Sequence, residues 1–221
     1  MSTISGLVPA TQTSIRPGGL AIFGRESEAT GRGAGGPASK EIVVSFGFWI
    51  FLLSDIVMFS AFFAAFQVVA GMAGEAAPRF DLSNLALQTA CLLVSSFICG
   101  VAMLSARRQN LLLTEISLFF TAVLGFVFLW REIHEFVDLT ANHQGPTDGA
   151  YYSAFFALVG CHGLHVTAGL LWIGTMMAQI LIKGFREDVM RRLSCFSLFW
   201  HALDIVWVAI FSLVYLMRFA P

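Results

Sequence analysis

Charge is what this sequence has least of. Asp, Glu, Lys and Arg supply 12% of its 221 residues, about half of the ~25% usual in a soluble domain. Hydrophobic residues make up 57%, against about 45–50% in soluble domains even with glycine counted. So few charges cannot cover so much apolar surface, and much of the chain must meet lipid. The net charge of −1 provides no positive field for a nucleic-acid backbone, so no nucleic-acid partner is expected. Cysteine is also scarce. Cys91, Cys99, Cys161 and Cys195 fall in or beside apolar runs without a CxxC or CxxxC pair, which excludes a disulfide framework and a thiolate metal site. A cleaved secretory signal is not expected, because the early apolar patch Leu20–Phe23 is too short for an h-region.

The first forty residues differ from everything after them. They hold eight of the twenty glycines, with Ser, Thr, Pro and scattered Arg and Glu. Such a composition buries too little apolar area to offset its ordering entropy. Residues 1–44 are therefore expected to be a disordered cytoplasmic tail, and residues 45–221 a transmembrane domain.

Five apolar runs follow, near Phe46–Ala70, Leu85–Ser105, Leu111–Trp130, Tyr151–Ile182 and Ser194–Met217. Each reaches the ~20 residues needed to cross a bilayer. Each must be a helix, since an isolated strand would leave its backbone polar groups unpaired in hydrocarbon. The fold class is an all-α integral membrane protein, a bundle of five transmembrane helices without internal repeats. Basic residues orient it. With the N-terminus inside, Arg16, Arg25, Arg32, Lys40, Arg107, Arg108, Lys183, Arg186, Arg191 and Arg192 are cytoplasmic, against Arg79, Arg131 and Arg218 outside. The bias holds without Arg16 and Arg25, which lie too far from the first span to count. The expected orientation is N-in and C-out, with 131–150 an acidic external loop.

Polar groups inside the spans need a reason to be there. Asp55 and Asp204 lie about midway along the first and fifth runs, which point the same way, and Glu115 lies near the start of the third. A carboxylate at mid-bilayer costs several kcal/mol unless partnered or protonated. His162 and His165 sit one turn apart on the fourth run, and His201 precedes Asp204 by three residues on the same face. At ~1.5 Å per residue all of these fall within about two turns in depth, so Asp55, His162 or His165, His201 and Asp204 can form a cross-helix cluster. Structural pairing or lipid-headgroup contact is one reading of the carboxylates and proton conduction the other. Membrane histidines commonly serve as buried donors, and Glu115 can snorkel to water. A haem needs two opposed ligands, but the His162/His165 pair projects from one side and leaves only His201 opposite. Zinc or copper needs three or four ligands close together. No catalytic residue, cofactor or metal is assigned to this chain.

The segments Phe46-Gly-Phe-Trp-Ile-Phe-Leu-Leu-Ser-Asp55, Phe155-Phe-Ala-Leu-Val-Gly-Cys-His-Gly-Leu-His-Val166 and Ser197-Leu-Phe-Trp-His-Ala-Leu-Asp-Ile-Val-Trp207 resemble subunit III of the haem–copper terminal oxidases. The turn Gly145-Pro-Thr-Asp-Gly149 before the fourth run matches too. The likeness covers roughly residues 42–218, in the shorter five-helix form of bacterial relatives, and its wording is nearest to cytochrome bo-type ubiquinol oxidase. Two departures are an Asp at position 55, where the family often has Glu, and the long N-terminal tail.

The resemblance implies an accessory, non-redox subunit in the bacterial inner membrane, part of a proton-pumping oxidase that reduces oxygen to water with electrons from quinol. Haems, copper and quinol would belong to partner subunits, chiefly the catalytic subunit I. The bundle would be V-shaped, with phospholipid in its cleft. By motif, Asp55 is the cleft carboxylate. His162, His165, His201, Asp204 and Trp207 belong to the shared bundle and lipid motifs, with Trp49 and Glu115 as further candidates. Rival readings are subunit III of a five-helix cytochrome c oxidase, a nitric oxide reductase accessory subunit and a small proton-coupled transporter. The transporter would usually show repeats or broken helices. A quinol-binding redox protein would want ligands this chain lacks.

Overall fold

The computed structural model describes residues 40–73 and 82–215; the expected tail over residues 1–39, the 74–81 connection and the chain beyond Tyr215 lie outside the described residues. Five helices follow in order: α1 Lys40–Ala73, α2 Leu82–Arg107, α3 Leu111–Ala141, α4 Ala150–Lys183 and α5 Glu187–Ile210. All five are long and apolar enough to cross a membrane. After Ile210 the last helix widens into a π turn over Phe211–Tyr215.

Three boundaries differ from the hydropathy reading. The first helix begins at Lys40, inside the stretch assigned to the tail. The third does not end at Trp130 but runs to Ala141, so most of the expected 131–150 loop is helical. Hydropathy stops at Arg131 and Glu132, yet the buried stripe Phe128, Glu132, Leu139 continues at helical spacing. The fifth helix starts at Glu187, seven residues before Ser194. Its first turn carries Glu187 and Asp188, whose negative charge complements the helix dipole.

Two of the connections are tight. Residues 108–110 join α2 to α3, where the Asn110 side chain caps α3 by accepting from the Leu113 amide at 3.2 Å. Residues 184–186 join α4 to α5. Gly184 there adopts φ +65° and ψ −162°, a positive-φ conformation open essentially only to glycine.

Side-chain pairs fix the helix directions. Along α1 and α4, Phe48 meets Trp172, Phe59 meets His165 and Phe66 meets Tyr151. One helix climbs as the other descends, so they are antiparallel. The same test makes α3 antiparallel to α4, through Phe128–His162 and Phe136–Phe155. It makes α4 antiparallel to α5, through Trp172–Phe196 and His162–Trp207. Helix α2 is antiparallel to α5, because Trp200 reaches Ser95 and Trp207 reaches Thr89. Helix α5 therefore sits centrally, packing against α1, α2 and α4, with Trp207 also on Phe128 of α3 at 4.6 Å between ring centroids.

Glycine makes that centre close. A Cβ at Gly125 of α3 or at Gly169 of α4 would lie 2.8 Å from the Trp200 ring. The indole is clamped between two helix surfaces that only glycine leaves flat enough. The close-packed core around it is aromatic, with Phe59, Phe128, Phe155, Phe196 and Trp207 all below 2% exposure.

Candidate functional site

The polar residues picked out from sequence do not form one cluster. Asp55 on α1 and His165 on α4 meet at 3.9 Å, Oδ2 to Nε2, each about one-fifth exposed. That distance is too long for a hydrogen bond, and the contact is an ion pair only when the imidazole is protonated. Ring orientation follows from the backbone: His165 Nδ1 lies 2.7 Å from the Cys161 carbonyl, which can only accept. Nδ1 therefore donates, and Nε2 is the nitrogen turned toward Asp55. Phe59 and Phe199 flank this ring.

His162, one turn earlier, is fully buried. It stacks on Trp207 at 5.3 Å and is edged by Phe128 and Phe59. Neither ring nitrogen has a hydrogen-bond partner among the described residues. Trp207 turns its own N–H away, donating to Thr89 at 3.2 Å.

His201 and Asp204 face a different helix. His201 Nδ1 pairs with Ser96 Oγ of α2 at 2.7 Å, and Ser96 and His201 both lie beside the Asp204 carboxyl. The expected grouping of these two with Asp55 and the α4 histidines is corrected here. Spacing of three puts His201 and Asp204 on one face of α5, but Trp200, Leu203 and Trp207 hold the face turned toward α4 and the core. The outer face, with His201 and Asp204, turns to α2. Asp55 does share its level with α5, since Asp55 and Phe59 line one small cavity with Phe199 and Leu203.

Of the further candidates, Trp49 is half exposed on α1. Glu115 is partly buried in the second turn of α3, with its Oε1 unpartnered among the described residues. Neither joins the pairs above.

One strong polar site was not anticipated. Glu132 is 3% exposed with both carboxylate oxygens unpartnered among the described residues. It packs on Gly163 of α4, where a Cβ would come within 2.9 Å of Oε1. Glu135 stands beside Gln88 one turn on. The signal was the helical spacing of the α3 face through Leu118, Thr121, Gly125 and Phe128, which continues to position 132. Among the described residues no group of three or more His, Cys, Asp and Glu converges as a metal site would require.

Comparison with known proteins adds an independent line. The family model for cytochrome c oxidase subunit III matches residues 24–218. The chain is 46% identical over 175 residues to cytochrome bo(3) ubiquinol oxidase subunit 3 of Pseudomonas aeruginosa, covering 78% of this chain and 84% of that one. It is 40% identical over 174 residues to quinol oxidase subunit 3 of Bacillus subtilis, covering 77% and 85%. It is also 37% identical over 174 residues to the cytochrome bo(3) ubiquinol oxidase subunit 3 of Buchnera aphidicola from Acyrthosiphon pisum, covering 77% and 85%.

Proposed function

The chain belongs to the cytochrome c oxidase subunit III family, and from that premise we propose that it is the accessory, non-redox subunit III of a proton-pumping ubiquinol oxidase in an aerobic respiratory chain. The observation that carries the quinol donor is the 46% identity to a ubiquinol oxidase subunit 3 over most of both chains. The chain is not an enzyme by itself. Haems, copper and the oxygen-reducing chemistry belong to the catalytic subunit I, on which this bundle packs in a bacterial inner membrane, N-terminus inside and C-terminus outside.

Its own residues supply shape and fixed polarity. Helix α1 turns large apolar side chains outward, including Phe46, Trp49 and Val57, a surface suited to lipid or a neighbouring subunit. The Asp55–His165 pair beneath it offers a carboxylate and an imidazole to a phospholipid headgroup in the cleft of a V-shaped bundle. Trp200, Trp207 and their hydroxyl partners lock α5 to α2 and keep the scaffold rigid under turnover.

A second reading follows the family's own description, in which cytochrome c is the electron donor. Purifying the assembled complex through a tag on this chain separates the two. Oxygen consumption driven by ubiquinol and indifferent to reduced cytochrome c is expected. Turnover with cytochrome c alone would replace the quinol reading.

A further inference from the structure

Where α3 meets α2 and α4, four buried oxygens lack a hydrogen-bond donor among the described residues: both carboxyl oxygens of Glu132, Oε1 of Glu135 and Oε1 of Gln88. Glu132 is 3% and Gln88 4% exposed, and the Gln88 side chain hydrogen-bonds Glu135 from α2. Glu132, Glu135 and Asp138 follow at intervals of three, so they form one ridge of α3. Each step along it climbs ~4.5 Å, at ~1.5 Å per residue. The ridge runs from core to water: Glu132 is buried, Glu135 partly buried, and Asp138 71% exposed beside His134. We propose that Glu132 is a proton-binding site, exchanging its proton with the aqueous phase at the α3–α4 turn through Glu135 and Asp138. That phase is the outer one when the N-terminus lies inside. The proposal goes beyond the oxidase reading and holds whichever electron donor the complex uses.

Hydrogen bonding selects the ligand. A carboxylate oxygen only accepts, and so does an amide oxygen, and such atoms are costly to bury unpaired. A proton on Glu132 removes the buried charge and turns one of the acceptors into an O–H donor. No fixed cation of the packed helices does this instead. Helix α3 packs chiefly against α2 and α4; α2 has no charged residue before Arg107, and α4 none before Lys183. On α3 itself the adjacent Arg131 donates to Asn84 at 3.0 Å. Helix α4 brings His162, the neighbour of the Gly163 on which Glu132 packs, with both ring nitrogens unpartnered among the described residues. A neutral imidazole has a single N–H, so His162 adds one donor at most to the count. A metal cation is the rival ligand. Calcium takes about 6–8 oxygens, whereas three side chains bring four free ones here. The route outward is Glu135, which adjoins both Glu132 and Asp138 and, being partly exposed, can turn from one to the other.

Infrared absorption of the purified complex in lipid nanodiscs, taken in H2O and after transfer to D2O, tests this. The difference between wild type and Glu132→Gln is expected to contain the C=O stretch of a protonated carboxylic acid, shifting in D2O. Glu132→Asp keeps the acid on a shorter arm and should move that band without removing it. The Asp variant decides alone if the Gln variant does not assemble. Glu135→Gln should leave the band in place and slow its shift in D2O about tenfold, ~1.4 kcal/mol of barrier. An ionised-carboxylate band in the Glu132 difference would overturn the proposal, and its movement when sodium replaces potassium would make the ligand a metal cation. A protonated-acid band that neither Glu132 variant alters would overturn it too, as would exchange indifferent to Glu135→Gln. Oxygen consumption with either donor has no bearing on the band, so the oxidase reading stands or falls separately.

Discussion

Two glycines make the room that Trp200 occupies. At Gly169 an added methyl group meets the indole at 2.8 Å, whereas at Gly100 it meets nothing within 4 Å. Both positions are mid-helix, where alanine is favoured over glycine by about 1 kcal/mol. Gly100→Ala should therefore hold or slightly raise stability. Gly169→Ala must shift a rigid ring inside a packed core, which costs about 1–3 kcal/mol, and should lower it. Thermal unfolding of the two variants in detergent checks the sign; equal transitions would mean Trp200 is not clamped. Asp55 gives a second residue-scale outcome. Asp55→Asn keeps shape and much of the polarity, so the assembled oxidase should retain near-normal initial turnover. Asp55→Leu leaves His165 Nε2 facing hydrocarbon, a loss of about 1–3 kcal/mol, and should shorten operational lifetime or shed lipid. Abolished turnover in a fully assembled Asp55→Asn complex would make Asp55 an obligatory proton carrier. Asp55 and His165 were legible in the sequence because a charge inside a long apolar run has few explanations. Glu132 was not, because Arg131, His134 and Glu135 around it give the segment the look of a loop.

At the scale of elements, the α2–α5 seam is the feature that periodicity could not reveal. Trp200 donates to Ser95 at 3.1 Å, Trp207 to Thr89 at 3.2 Å, and Ser96 meets His201 at 2.7 Å. Spacing within α5 places His201 with Asp204, but which neighbour they face depends on the other side of the helix. The glycine-lined slot for Trp200 settles that rotation, and it is a property of three helices together. Interhelical hydrogen bonds within membranes average about 0.6 kcal/mol and reach about 1.7. Thr89→Val strands the Trp207 N–H, and Ser95→Ala strands that of Trp200. Each should cost about 1 kcal/mol, and since the sites are far apart the double variant should be additive within about 0.5 kcal/mol. Denaturation of the three variants in SDS checks this; a double variant no worse than either single would show that the seam is not a set of independent bonds. Helix α3 adds a second case. It runs to Ala141 with Phe128, Glu132 and Leu139 buried, but a hydropathy window ends at the first charges.

For the whole molecule, we propose one topology from the five membrane-length helices and the loop charges. The pairings that make α1 antiparallel to α4, and α4 to α5, fit an even alternation along the chain. With the basic connections at 108–110 and 184–186 inside, a reporter at residue 2 should be cytoplasmic and one after Pro221 external. A C-terminal reporter active in the cytoplasm would overturn the orientation. The architecture was legible because the bilayer imposes it: only uninterrupted helices satisfy their backbone in hydrocarbon. What the complex does came from resemblance, since among the described residues no group of three or more His, Cys, Asp and Glu converges. We propose that this bundle is redox-silent and leaves electron transfer to its partners. The most direct test is the reduced-minus-oxidised visible spectrum of the purified chain alone. The expected result is a flat spectrum; stoichiometric haem bands in a clean preparation would contradict it and return His162, His165 and His201 to consideration as ligands.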